Sequence, residues 1–100
     1  MNIGKLYQVK KYYWLLYPSK EIAGDFAAAT RHCAAAADTA AFLSERYKCN
    51  VLYIPENSIF CFLEQDGKYL KVLTSTGEIG WIRYPQDKEW TKGSIEEVNQ

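Results

Sequence analysis

The stretch "NSIFCFLEQDGKYLKVLTSTGEIGWI", Asn57–Ile82, decides the fold. Its residues alternate. Phe60 and Phe62 share one face of a strand, with Ile59, Cys61 and Leu63 on the other. "QDG" then supplies a tight turn. In "KYLKVL", Leu70 and Val72 point one way and Tyr69, Lys71 and Leu73 the other. After "STG", Gly80 and Ile82 alternate against Ile79 and Trp81. Three short strands joined by tight turns form an antiparallel meander. Phe60, Phe62, Leu70, Val72 and Ile82 are its predicted core side. So short a meander must close on itself or be covered, because open strand edges invite association. A small barrel is the economical solution.

Outward from this stretch the chain has two further zones. Residues 5–17, "KLYQVKKYYWLLY", are β-rich and end at Pro18. Residues 24–47, "GDFAAATRHCAAAADTAAFLSERY", predict one long α-helix over about 25–47, inserted between the first and second strands. Asp25 is its expected N-cap. Phe26, Ala29, Cys33, Ala36, Ala40, Leu43 and Tyr47 are spaced 3, 4, 3, 4, 3, 4, an unbroken apolar seam. Arg31, His32, Asp38, Thr39, Glu45 and Arg46 fall on a wet face. The small residues of the seam permit close approach to a partner surface. Two uses are open: the seam wraps its own barrel, or one end also meets a second copy of the chain as a homodimer.

The run "WLLYPSKEIA", the strand after Pro55–Ser58, "GKYLKV" and above all "GEIGWI" at 77–82 resemble the Src-homology-3-like (SH3-like) barrels, in particular the bacterial SH3 type. The likeness covers about 60 residues, counted on strands and turns. It implies a mostly β, antiparallel SH3-like barrel, a single domain over 1–100, with a helical insertion at 24–47 where the family has a loop. Gly77 suits a turn at positive φ, and Gly80 suits a close approach between strands. The resemblance also implies that Tyr7 and Tyr69 match aromatic positions of the peptide groove in the peptide-binding relatives. Where those relatives carry a proline and a tyrosine, this chain carries Arg83 and Gln86.

Composition narrows the function. The chain has 100 residues, enough for one domain, with 12 basic and 12 acidic side chains and zero formal net charge. That balance lacks the electrostatic footprint of a nucleic-acid binder or of a protein held on an anionic membrane. The N-terminal "MNIGKLYQVKKYY" has no apolar signal core, and no stretch is apolar enough for a membrane span, so a cytoplasmic protein is expected. Cys33, Cys49 and Cys61 form no framework pattern and are expected as free thiols. His32 and Cys33 are helical neighbours that diverge, so neither a metal site nor a thiol nucleophile is expected there. The acidic pairs Glu96–Glu97 and Asp87–Glu89 fit solvated surface better than acid–base chemistry. No cofactor is implied. What remains is the crowd of aromatics, Tyr12, Tyr13, Trp14, Tyr17, Tyr69, Trp81, Tyr84 and Trp90. They are core filling or binding anchors. The predicted function is a non-catalytic interaction module that binds a protein or peptide through exposed Tyr13, Tyr17, Tyr69, Trp81 and Tyr84, through the helix seam, or through both. A nucleic-acid-binding barrel and a small enzyme are the alternatives.

Overall fold

A computed structural model describes residues 1–26, 36–85 and 88–98. The β-rich N-terminal zone is two strands rather than one: β1, Leu6–Val9, and β2, Trp14–Leu16. Tyr12 separates them at φ 67°, a left-handed conformation that no strand can contain. Composition cannot reveal such a break, because tyrosine is a good strand residue.

The helical region starts earlier than the alanine run suggests. Pro18 stops β2, and the Ser19 hydroxyl accepts a hydrogen bond from the Ile22 amide at 3.4 Å. α1 therefore runs Lys20–Phe26, and Asp25, the expected cap, lies inside it. α2 follows at Ala36–Tyr47. Residues 27–35, with Ala29, His32 and Cys33, lie outside the described residues, so the single long helix is described only as these two segments. α2 ends at Lys48, whose φ of 54° is the left-handed helix stop.

The remaining elements are β3, Leu52–Ile54; β4, Ile59–Asp66; β5, Tyr69–Thr74; β6, Ile79–Arg83; a 3-10 turn at Glu89–Thr91; and β7, Ile95–Glu97. Five strands form an antiparallel sheet in the order β6-β5-β4-β1-β7, and β2 pairs with β3 in a second sheet. The helical segments thus lie between β2 and β3. The two sheets meet where Tyr17 and Trp81 exchange backbone hydrogen bonds of 2.8 and 2.7 Å. Gly80 makes that junction close. A Cβ there would sit 2.8 Å from Leu16 Cγ and from the Tyr17 carbonyl oxygen. Gly77 takes φ 91° in the β5–β6 turn, as its position in "STG" predicts.

All five predicted core residues are buried: Phe60, Phe62, Leu70, Val72 and Ile82. Tyr7, Val9 and Ile95 of the large sheet join them, as do Trp14, Leu16 and Ile54 of the small one, so one core serves both sheets. A second cluster lies on the other side of β2, where Leu15 and Tyr17 pack with Ala23 of α1, Ala40 and Leu43 of α2, and Val51. This explains why β2 is buried at every residue: it has a core on each face. The predicted seam is used here. Ala40 and Leu43 are buried and Tyr47 is half-buried against this cluster, while Asp38, Phe42, Glu45 and Arg46 face out. The side chains of Phe26 and Ala36, like Ala29 and Cys33, lie outside the description.

Candidate functional site

The face of the large sheet opposite the core is where the unspent side chains collect. Strand alternation puts Leu6 and Gln8, Ile59 and Cys61, Tyr69, Lys71 and Leu73, and Ile79, Trp81 and Arg83 on that outer face. Register then arranges them in rows. Leu6 pairs with Cys61, Cys61 with Leu73, and Leu73 with Ile79, so one apolar row crosses four strands. Its ends are open to solvent, Leu6 at 38% and Ile79 at 58% exposure, and neighbouring Ile59 is exposed too. Directly opposed side chains in such rows lie about 5 Å apart, so the row is continuous.

Beyond this row the chemistry changes. A β-bulge between Phe62 and Glu64 shifts the β4–β5 register. Glu64 then pairs with Lys71 and Asp66 with Tyr69, which brings both carboxylates to the outer face. Lys71 pairs with Trp81, and Tyr69 with Arg83. Three ammonium groups stand over the two rings: Lys20 Nζ at 5.2 Å and Lys71 Nζ at 6.0 Å from the Trp81 centroid, and Lys68 Nζ at 5.8 Å from that of Tyr69. Lys20, at the start of α1, is also ion-paired to Asp66. The Asp66 bond holds the Lys20 ammonium above its usual pKa, so this cation stays charged. The outer face is therefore aliphatic at one end and aromatic and cationic at the other.

Of the five aromatics expected at the surface, the structure brings Tyr69 and Trp81 together as diagonal neighbours, both half-buried. Tyr13 is half-buried at the second core cluster. Tyr17 and Tyr84 are not surface residues, with 4% and 8% exposure. Tyr17 has been turned into the second core by the junction with β6. Burial pushes its phenol up to about 12, partly opposed by the Arg83 charge and reinforced by Tyr13. Tyr84 packs edge-on against Trp14 at 5.3 Å, and its hydroxyl donates to the Thr91 carbonyl at 3.3 Å. Both needs of a buried tyrosine, apolar packing and a bond for the hydroxyl, are met inside.

Sequence reasoning passed over the cations. Lys71 was already on the face of Tyr69 by alternation and could have been added. The Lys20–Asp66 pair, separated by 46 residues, had no local signal. Cys49 and Cys61 are free and half-buried. Among the described residues, no three His, Cys, Asp or Glu side chains gather as a metal site requires. Nor is any helix among them long and apolar enough to cross a membrane. Compared with known protein families, with curated proteins and with solved structures, the chain matches none.

Proposed function

We propose that this chain is an SH3-like small barrel serving as a non-catalytic interaction module, and that its outer sheet face binds a protein segment carrying acidic residues beside apolar ones. The barrel assignment is supported by seven strands that run in one succession, β7-β1-β4-β5-β6 and then across the Tyr17–Trp81 bridge to β2-β3, around a shared core. The observation that carries the functional reading is the row Leu6–Cys61–Leu73–Ile79 lying beside Trp81 and its lysines. A contiguous exposed apolar strip with a polar margin is costly to leave in water, and it is the usual mark of a contact surface. Trp81 offers an aromatic anchor at its edge. Lys20, Lys68 and Lys71 select against cations and attract carboxylates.

The lysines beside two rings favour one second reading, a single-stranded nucleic acid stacked on Trp81 and Tyr69. The aliphatic row offers nothing to a phosphate backbone, which is why protein is preferred. The test is selection from a random displayed peptide library, followed by titration of an enriched peptide and of oligothymidylate against the full chain. Acidic–apolar peptides should enrich and shift the outward-facing amides of β4–β6. Replacing Trp81 by Ala should weaken them about tenfold or more, the loss of an anchor side chain. Tighter, steeply salt-dependent binding of oligothymidylate would select the second reading. Peptides that bind with Trp81→Ala unaffected would overturn both.

A further inference from the structure

On another side of the molecule, a groove of about 300 Å³ opens between β3 and the β5–β6 turn. That size is at the lower end for a ligand site and matches a few side chains. Its lining includes three consecutive residues of β3, namely Leu52, Tyr53 and Ile54. Leu52 and Ile54 point to one face of the strand and Tyr53 to the other. A cavity touching all three must run along the strand's edge rather than over a face. β3 is also the end strand of the order β2-β3, so its edge is the one a further strand would join.

The opposite wall is built around one carboxylate. Thr74 Oγ1 donates to Glu78 Oε2 at 2.6 Å, and the Thr76 hydroxyl donates to the same oxygen. The Glu78 amide in turn donates to Thr74 Oγ1 at 3.1 Å. These bonds fix the side chain and hold its carboxyl below the usual carboxylate range, so it is ionised at neutral pH. Both hydroxyls are spent on one oxygen. Among the described residues, no cation makes an ion pair with Glu78.

We propose that this groove binds an extended peptide strand added to the edge of β3, with an arginine or lysine of that strand at Glu78 and aliphatic neighbours over Leu52 and Ile54. Charge complementarity chooses the occupant: a fixed, partnerless anion beside an apolar floor suits a basic residue flanked by Val, Ile or Leu. Tyr53, at 41% exposure, and Ile59, at 37%, are the apolar lips such a strand would cover. The site is separate from the outer face of Trp81, so the chain would hold two segments of opposite charge.

The probes are two blocked pentapeptides of alternating valine, one with arginine and one with glutamine at the centre, titrated into the full chain and followed by amide chemical shifts. The arginine peptide should shift the amides of 52–54 and 74–78 saturably. It should bind about tenfold more tightly than the glutamine peptide, the effect of one charge-assisted bond. Glu78→Gln, with melting checked, should remove that difference while leaving glutamine-peptide binding unchanged. Equal binding of the two peptides, or shifts confined to the Trp81 face, would overturn the proposal. So would concentration-dependent shifts of the same amides without peptide, which would place a second copy of the chain in the groove. None of these results bears on acidic peptides at Trp81, so the two readings fail independently.

Discussion

Tyr17 shows how much one side chain's role depends on its surroundings. Strand composition left it free to be an anchor, but its backbone bonds to Trp81 draw its ring into the core beside Leu15, Ala23 and Val51. Burial raises its pKa from 10.0 to about 12. A pKa higher in the folded state means that the fold binds the phenol proton more tightly than the unfolded chain does. The stabilisation is complete below pH 10 and is lost as pH rises through about 12, an amount of roughly 2–3 kcal/mol. Titrating tyrosinate absorbance should show one late-ionising phenol. Tyr17→Phe should remove it and flatten the alkaline fall in stability relative to wild type, lysine titration being common to both. An unchanged alkaline slope would mean that this phenol reaches water. Gly80 is the opposite case. Its place in "GEIGWI" already asked for a close strand approach, and the approach is there, within 2.8 Å of Leu16 and Tyr17. The difference is physical. A glycine states its requirement by lacking a side chain, whereas a tyrosine fits core and surface equally well.

At the scale of elements, periodicity carried what was legible. The meander, its turns and its inward residues follow from alternation over 59–82, and the spacing 40, 43, 47 correctly marks the buried side of α2. Breaks in regularity did not show. The bulge after Phe62 inserts Leu63 without any glycine or proline to announce it, and it decides that Glu64 and Asp66 meet Lys71 and Tyr69. The rows of the candidate site were hidden for the same reason, since register is a property of pairs of distant strands. The helices answer a need of β2 and β3. A two-stranded sheet has a second face, and α1 and α2 cover it with small residues at close range. α2 is tied to its successor by Ser44. Its hydroxyl accepts from the Val51 amide at 2.8 Å and lies 2.7 Å from the Ala40 carbonyl oxygen. Ala40→Glu would push a carboxylate into this packed layer with no cation facing it. Several kcal/mol of destabilisation are expected, enough to unfold a domain of this size. Ala41→Glu, one residue on and exposed, should leave melting nearly unchanged. Equal melting of the two variants would show that α2 does not pack as described.

The whole molecule raises a question of cooperativity. It holds two sheets, two apolar clusters and a junction of only two backbone hydrogen bonds, so it could open in parts. The first cluster argues against this. Trp14, Leu16 and Ile54 come from the small sheet and share their core with Phe60, Phe62, Leu70 and Val72 of the large one. β2 also belongs to both clusters, through Leu16 on one face and Leu15 on the other. Losing the small sheet would expose the large sheet's inner face, and losing the large sheet would leave β2–β3 as a hairpin too small to stand alone. The expected behaviour is therefore one cooperative unit, tested through a residue at the joint. Leu16→Ala removes a buried aliphatic side chain and should cost about 2–5 kcal/mol. In a domain near this length each kcal/mol lowers the melting temperature by roughly 4–8 °C. Amide hydrogen exchange discriminates the mechanisms more sharply than melting. In a single unit, the slowest amides of β4 and β5 lose protection by the same factor as those of β2 and β3, more than about thirtyfold for a loss of 2 kcal/mol. If β2, β3 and the helices lose protection while β4 and β5 keep theirs, the small sheet opens independently. The shared core would then be a contact between two folding units, and the succession of strands that supports a single barrel would break at Tyr17 and Trp81.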